Sequence, residues 1–285
     1  MKLIILILFA FTSTQFFGGE RLAAVVFNGI SPANGSLRNS PEVSLEKKYG
    51  IVIHKYWPEK ECIEQVLKKV KADDEASMSF DEWEAKNKDI YKPIDEDFVS
   101  DLERSKLLYL GQYAGEFANI PFKKYPNAVR KFLEGGGVIF FDYFSTTSAL
   151  NEFLKNVNVE NPSRDFKSGS YGAIPWKGIT NTLLLNFPHK LGKGHFSAYG
   201  WWEKWPDNQI APFRSEIGLG QRAAMIIQEK VLGKGKIMFS QMYNIFTPAD
   251  KKILENTLSY IFGRDIRKYK DEMSAEQGGP GEPAK

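Results

Sequence analysis

The stretch that decides the fold is FLEGGGVIFFDYF, residues 132–144. It begins as the end of an amphipathic helix, which the three glycines Gly135–Gly137 terminate. The apolar residues Val138–Phe141 then predict a strand that is covered on both faces. Asp142 and Tyr143 follow at the carboxyl end of this strand, where ligands bind in open α/β sheets. The stretch therefore predicts an α/β domain, and it makes Asp142 the first candidate for a functional site.

Length and charge narrow the class of protein. The chain has 285 residues, of which 42% are hydrophobic, so it can bury the core of one large domain. Its 38 basic and 35 acidic residues leave a net charge of only +3. Because no basic face stands out, nucleic acid is not expected as a partner.

Cysteine usage excludes two kinds of stabilising site. Cys62 is the only cysteine, so neither an intrachain disulfide nor a zinc site built from several thiolates can form. Cys62 lies on the apolar stripe of a predicted helix at Pro58–Lys71, and no nearby pattern would activate its thiol. We therefore interpret it as a packing residue.

The N-terminus predicts an export signal. Lys2 precedes the apolar run Leu3–Phe11, which is typical of a secretory signal peptide, and cleavage is expected near Gly18 or Gly19. We expect residues 1–19 to be removed, and the mature protein to be secreted or periplasmic without a transmembrane span. The alternative is an uncleaved anchor, although the run is shorter than the about 20 residues that a span needs.

Apolar periodicity predicts a single domain over residues 20–265. Strands are expected at Leu22–Phe27, Ile51–Trp57, Leu107–Leu110 and Val138–Phe141, and in a hairpin of Ala223–Glu229 and Gly235–Ser240. Residues 72–104 are acidic but lack the spacing of a calcium loop, so they predict a solvated insertion. We expect an edge strand or extended segment at Ile179–Leu185 and a disordered tail over residues 266–285.

The order of these elements resembles the class I glutamine amidotransferase-like superfamily, in particular its exported, trehalose-utilisation-protein-like branch. The resemblance rests on Leu107–Gly111, on the helix and glycine junction within Val129–Asp142, and on Gly233–Gln241 before the terminal helix. It implies a three-layer, flavodoxin-like α/β fold with a mostly parallel central sheet.

The same resemblance implies that the family's reaction is absent. Catalytic members carry a cysteine after the strand equivalent to Val138–Phe141, and a histidine with an acidic partner after a later strand. In this chain these positions read Asp142-Tyr143-Phe144 and Ser240-Gln241-Met242-Tyr243. Because that hydrolysis needs a thiolate activated by an imidazole, amidotransferase activity is not expected.

Polar residues that follow the other central strands are expected to emerge beside Asp142. We interpret these residues as a ligand-binding set: Asn28, Gln112, Tyr113, Tyr143 and Gln241. The alternative is that Asp142 caps the following helix or bonds to loop amides.

Aromatic residues are concentrated between Tyr199 and Trp205, where three of the six tryptophans lie. Ring faces stack on the apolar faces of sugars, so Trp201 is a candidate for carbohydrate contact; the alternative is that the tryptophans pack over the sheet.

His189 and His195, together with Glu203, fit no helical metal-ligand motif, and a loop histidine with a backbone hydrogen bond is the simpler interpretation. No metal and no cofactor are expected.

The sequence thus predicts an exported, non-catalytic amidotransferase-like domain that binds a small polar or carbohydrate ligand at the carboxyl ends of its strands. A second hypothesis is a hydrolase or isomerase acting on a sugar, with Asp142 as general acid or base and His195 as its helper. A third is a purely structural or partner-binding domain. No pattern specifies an oligomeric state.

Overall fold

The computed structural model describes residues 22–27, 42–69, 79–88, 92–111, 119–142, 148–162, 166–175, 182–192, 196–215, 222–242, 245 and 251–277. The strands are β1 (Ala23–Phe27), β2 (Val52–Trp57), β3 (Lys92–Pro93), β4 (Leu107–Leu110), β5 (Val138–Asp142), β6 (Phe166–Pro175), β7 (Phe196–Trp202), β8 (Gln209–Ser215), β9 (Ala223–Val231) and β10 (Gly235–Ser240). The helices are α1 (Glu42–Tyr49), α2 (Lys60–Lys69), α3 (Phe80–Asn87), α4 (Asp97–Glu103), α5 (Ile120–Lys124), α6 (Pro126–Glu134), α7 (Ser148–Asn156), α8 (Leu183–Asn186), α9 (Lys251–Phe262) and α10 (Ile266–Gln277).

All these strands belong to one mixed sheet, in the order β3-β2-β1-β4-β5-β10-β9-β7-β6-β8. The first six strands in this order, β3 to β10, pair parallel with one another. The last four strands, β9, β7, β6 and β8, pair antiparallel with their neighbours. The α/β class is confirmed, but the expectation of a mostly parallel sheet is wrong. Within the described part of residues 166–231, the helix between the four strands is the four-residue α8, too short for the crossover that parallel pairing needs, and these strands pair antiparallel.

The antiparallel end of the sheet closes on itself. The last strand in the order, β8, pairs with β6 and also returns to pair with β9. At the opposite end, β3 contributes only two residues and covers only the end of β2, at Tyr56 and Trp57.

The glycine junction has the predicted form. Gly135 caps the C-terminus of α6, Gly136 has a positive φ of 91°, and the Gly137 N–H donates to the Phe132 carbonyl at 2.8 Å. Left-handed backbone of this kind favours glycine. The next residue is already in the sheet, because the Val138 N–H donates to the Lys106 carbonyl at 2.9 Å.

Helices cover both faces of the sheet, and each face has its own apolar core. One core includes side chains of α1, α8, α9 and α10, and the other includes side chains of α4, α5, α6 and α7. In β5, Val138 and Phe140 point into the first core, whereas Ile139 and Phe141 point into the second. This alternation is what a strand buried on both faces requires.

Two segments are helical where the sequence predicts a strand or disorder. Leu183–Asn186, at the end of the expected edge strand or extended segment, form helix α8, in which Leu184 and Leu185 are buried. The expected disordered tail forms α10 as far as Gln277, because Ile266 and Tyr269 pack into the core and the Leu22 N–H donates to the Tyr269 hydroxyl at 2.6 Å.

The acidic segment is attached to the scaffold where it is described. In α3, a capping box joins Ser79 and Glu82, and buried Trp83 packs against Trp57 with ring centroids 4.7 Å apart. Strand β3 and helix α4 belong to the main layers, because β3 joins the sheet and α4 buries Phe98 in the second core.

No described helix is both long and apolar enough to cross a membrane. The predicted signal peptide lies outside the described residues.

Candidate functional site

The parallel strands end together along one side of the sheet, which we call the C-terminal edge. Phe27 of β1 is in register with Leu110 of β4, Leu110 with Phe141 of β5, and Phe141 with Phe239 of β10. The next residue of each strand therefore lies in one row across the sheet. Within the described part of that row, the polar side chains are those of Asp142 and its register partner Ser240.

Asp142 is half-buried at this edge, and it accepts a hydrogen bond from the neighbouring strand. The Tyr109 hydroxyl donates to Asp142 Oδ2 at 2.5 Å. Only 5% of Tyr109 is exposed, and its ring stacks on Phe140 with centroids 5.9 Å apart. This packing fixes the tyrosine, which in turn orients the carboxylate. This bond comes from a side chain of the neighbouring strand β4.

Ser240 and Gln241 build the β10 side of the edge. The Ser240 Oγ accepts a hydrogen bond from the Met242 N–H at 3.1 Å, and the Gln241 N–H donates to the Ala224 carbonyl at 2.9 Å. Both side chains are fully buried. Gln241, predicted to contact a ligand, therefore lies beneath the surface of the edge.

The aromatic segment lies beside the same edge. Ala198 of β7 forms an isolated antiparallel bridge with Met242, two residues beyond Ser240. Trp201 and Trp202 are fully buried, in the first and second core respectively. Trp201 is therefore a packing residue rather than a stacking surface for a sugar, which was the alternative interpretation of this segment.

A second group of polar and aromatic residues surrounds the start of β9. Ala223 is in register with Trp202 and with Arg214, and the guanidinium carbon of Arg214 lies 5.0 Å from the centroid of Trp205. Burial lowers the pKa of Arg214 below its usual range. The neighbouring Arg222 and Glu203 form an ion pair at 3.2 Å, between Nη2 and Oε1.

Sequence reasoning missed Tyr109 and Arg214, because each looks like an ordinary strand residue. Their positions depend on register between strands that are distant along the chain. Five predicted site residues lie outside the described residues: Asn28, Gln112, Tyr113, Tyr143 and His195.

The two described histidines each contact a buried carboxylate. His189 Nε2 lies 2.6 Å from Glu255 Oε2, and the Tyr49 hydroxyl donates to Glu255 Oε1 at 3.0 Å. Burial, followed by the charge of Glu255, raises the pKa of Tyr49 above its ordinary value. His54 Nδ1 lies 3.1 Å from Asp101 Oδ2. Both clusters join helices to the scaffold.

Metal and thiol chemistry find no support among the described residues. They contain no group of three or more histidine, cysteine, aspartate or glutamate side chains placed to bind an ion. Cys62 is half-buried on α2, where burial and the charges of Glu59 and Glu61 raise the pKa of its thiol. That is the opposite of the shift that activates a cysteine nucleophile.

Comparisons with known proteins give likenesses of shape at low sequence identity. No family model matches the sequence, and no curated protein matches it. A structure of PurLQS from Thermotoga maritima is similar, with 14% identity, a TM-score of 0.45 and coverage of 85% of this chain and 99% of that chain. A putative GMP synthase subunit from Thermoplasma acidophilum has 10% identity and a TM-score of 0.42, with coverage of 88% of this chain and 98% of that chain.

A beta-galactosidase from Rahnella sp. R3 is also similar, with 10% identity and a TM-score of 0.41. The match covers 92% of this chain, which spans 32% of the galactosidase chain. At these identities and TM-scores, the likenesses assign the chain to no family and to no activity.

Proposed function

We propose that this protein binds a small polar ligand, with carbohydrates as the first candidates, at the C-terminal edge. The observation that carries the proposal is the half-buried carboxylate of Asp142, which Tyr109 orients at the end of a central parallel strand. A carboxylate fixed in this way accepts hydrogen bonds from hydroxyl groups with little loss of side-chain entropy on binding. The end of a parallel strand is also where open α/β sheets bind ligands.

The neighbourhood of Asp142 supports a polar ligand. Along the row, Ser240 is in register with Asp142, and the bridge of Met242 to Ala198 brings β7 to the same end of the sheet. Beyond them, Arg214 and Trp205 add a cation and an aromatic ring. Sugar recognition combines such aromatic surface with a few fixed polar groups. In this proposal Trp205, rather than the buried Trp201, supplies the aromatic contact.

The wider proposal is an exported, amidotransferase-like domain of the trehalose-utilisation-protein-like branch, with an aspartate in place of the catalytic cysteine. Its support is the sequence resemblance, together with the helix, glycine and strand junction that delivers Asp142.

Thermal unfolding with a panel of sugars and polyols tests the binding proposal. A ligand that binds only the folded chain stabilises it by about 2.7 kcal/mol at about 100 times its dissociation constant. We expect at least one sugar to raise the melting temperature of the wild type and to have no effect on Asp142→Asn. Asparagine still accepts the Tyr109 hydrogen bond, so the variant alone should melt near the wild-type temperature.

Asp81→Asn is the matched control, because 89% of the Asp81 side chain is exposed on α3. It should keep the full response to the ligand. The proposal fails if no sugar shifts the melting temperature, or if Asp142→Asn responds as the wild type does. A large loss of stability in Asp142→Asn without ligand would indicate a purely structural aspartate.

The same carboxylate supports the enzymatic alternative, a hydrolase or isomerase acting on a sugar. Its orienting hydrogen bond from Tyr109 is the observation in its favour, since a general acid or base must be held in place. If the sugar that stabilises the protein is also converted, turnover should be lost in Asp142→Asn and retained in Asp81→Asn. Binding without conversion would leave the non-catalytic proposal standing.

A further inference from the structure

Helix α8 exposes two large apolar side chains. Leu183 is 57% exposed and Phe187, the residue that follows the helix, is 37% exposed. Among the described residues they are the large hydrophobic side chains in the exposed class. The Phe187 N–H donates to the Leu183 carbonyl at 2.8 Å, which keeps the two residues one turn apart at the ends of α8. We call this pair the α8 patch.

The α8 patch sits on a rigid support. Leu184 and Leu185, on the inner side of the helix, are buried in the first core. The buried Asn256 of α9 donates to the Leu184 carbonyl at 2.9 Å, and it bonds to both the N–H and the carbonyl of His189. The patch is therefore fixed at the surface by the core and by α9.

The surroundings of the patch are basic. Lys190, three residues after Phe187, is exposed. Helix α9 packs against α8 and begins with Lys251 and Lys252, both exposed, and Lys251 Nζ lies 3.7 Å from Oε1 of the buried Glu255. Among these described groups, three lysines are opposed by the single carboxylate of Glu255, which leaves a positive excess beside α8.

We propose that the α8 patch docks on the surface of an anionic phospholipid bilayer. Leu183 and Phe187 insert among the acyl chains near the headgroups, while Lys190 and the lysines of α9 contact the lipid phosphates. Peripheral proteins bind such surfaces by inserting apolar side chains while neighbouring basic side chains contact the anionic headgroups. A second copy of the chain fits less well, because a symmetric contact would bring the same lysines face to face.

Site-specific fluorescence tests the contact in the full chain. The variant Cys62→Ser/Leu183→Cys carries one thiol, which is labelled with a small environment-sensitive fluorophore. We expect vesicles of phosphatidylglycerol and phosphatidylcholine, with quencher groups on their acyl chains, to quench this label. Vesicles of phosphatidylcholine alone should bind on the order of tenfold more weakly, and added salt should weaken binding to the anionic vesicles. A label at Lys131→Cys on α6, in the other helical layer, is the control and should stay unquenched.

Unlabelled variants separate the patch from any other membrane contact, because the N-terminus is the same in all of them. Leu183→Ser/Phe187→Ser and Lys190→Gln/Lys252→Gln should each partition to anionic vesicles on the order of tenfold more weakly than wild type.

Equal partitioning of all variants would overturn the proposal, as would a label at position 183 that the acyl-chain quenchers do not reach. A label that responds to protein concentration without lipid would assign the patch to a second copy. If the labelled chain responds instead to an added acidic protein and not to vesicles, a protein partner replaces the bilayer.

Discussion

Asp101 is a buried carboxylate surrounded by donors from three elements. It accepts from the Tyr56 hydroxyl at 2.6 Å and from Arg104 Nη2 at 2.7 Å, with His54 Nδ1 at 3.1 Å and Lys92 Nζ at 3.5 Å. Burial by itself raises its pKa, but the Tyr56 hydrogen bond and the three basic groups outweigh burial and leave the pKa below the ordinary 3.8. The folded state therefore favours the ionised form of this carboxylate.

His54 makes the fold sensitive to mild acid. Burial is the main cause that lowers its pKa below 6.5, and the charges of Arg104 and Lys92 act with burial against the attraction of Asp101. The folded state therefore binds a proton less readily than the unfolded state. The contribution of His54 to the free energy of unfolding is fully present above about pH 6.5. It is lost as the pH falls from there toward the pKa of His54 in the folded state. We expect His54→Gln to melt at a temperature that depends less on pH between about 7.5 and 5.5, as measured by calorimetry.

Asp97→Asn is the control for this prediction, because Asp97 is the exposed partner of Lys92. It should keep the pH dependence of the wild type over this range. A His54→Gln profile parallel to the wild type would contradict the assignment of this acid sensitivity to His54.

Asn256 satisfies three backbone groups with one side chain. Its amide donates to the carbonyls of Leu184 and His189, and its oxygen accepts from the His189 N–H at 2.9 Å. Asn256→Ala leaves these groups without their partner, so we expect a loss of about 3 kcal/mol in the free energy of unfolding. Denaturant titration measures it. Asn186→Ala, at an exposed position of α8, should cost far less, and similar losses in both variants would contradict this account.

At the scale of elements, the backbone of α6 lies very close to the sheet at Gly235, the first residue of β10. A Cβ placed at Gly235 would lie 2.6 Å from the carbonyl oxygen of Leu133 and 3.0 Å from the Cα of Leu133. Backbone atoms cannot turn aside as a flexible side chain can. We therefore expect Gly235→Ala to lower the free energy of unfolding by about 1–3 kcal/mol, as measured by chemical denaturation.

Gly192→Ala is the matched control, since a Cβ at Gly192 meets no atom within 4 Å. It should be neutral or slightly stabilising, because alanine restricts the unfolded chain. If both substitutions cost the same, close packing of α6 against β10 is not the reason for glycine at position 235.

The elements that the sequence predicts best have strong local signals. The runs that became β1, β4 and β5 are buried on both faces, so they show as continuous apolar residues. Helices α8 and α10 were missed for a different reason. Four residues are too few to show a helical period, and in α10 the core contacts come from Ile266 and Tyr269 in an otherwise polar segment. Their structure depends on α1 and α9, which no local pattern reveals.

In the candidate site, too, local sequence patterns predict single residues but not their contacts with distant elements. Asp142 was found because an apolar strand leads directly to it. Its donor Tyr109 is 33 residues away in sequence, and the Ala198–Met242 bridge joins segments that sequence reasoning treated separately. Register between distant strands decides these contacts, and a single sequence does not specify that register.

At the scale of the whole molecule, the sheet divides into two parts with different roles. The parallel part carries the central strands between two helical layers, and it ends in the edge that presents Asp142. The antiparallel part pairs β9 with both β10 and β8, so it is joined to the parallel part along a full strand. The proposed ligand site lies close to where the two parts meet, at the ends of β5 and β10.

The closure of β8 onto β9 also affects how the protein behaves when crowded. An open outer strand offers unpaired backbone groups on which another chain can add a strand, and this is a common start of aggregation. Here one end of the sheet pairs with itself, and at the other end β3 is short and contains Pro93, which has no N–H to donate. Beside β3, the Ile53 N–H of β2 already donates to the Glu46 carboxylate at 3.2 Å. The described strands therefore provide a poor template for polymerisation, and concentrated samples should not form fibrils through this sheet.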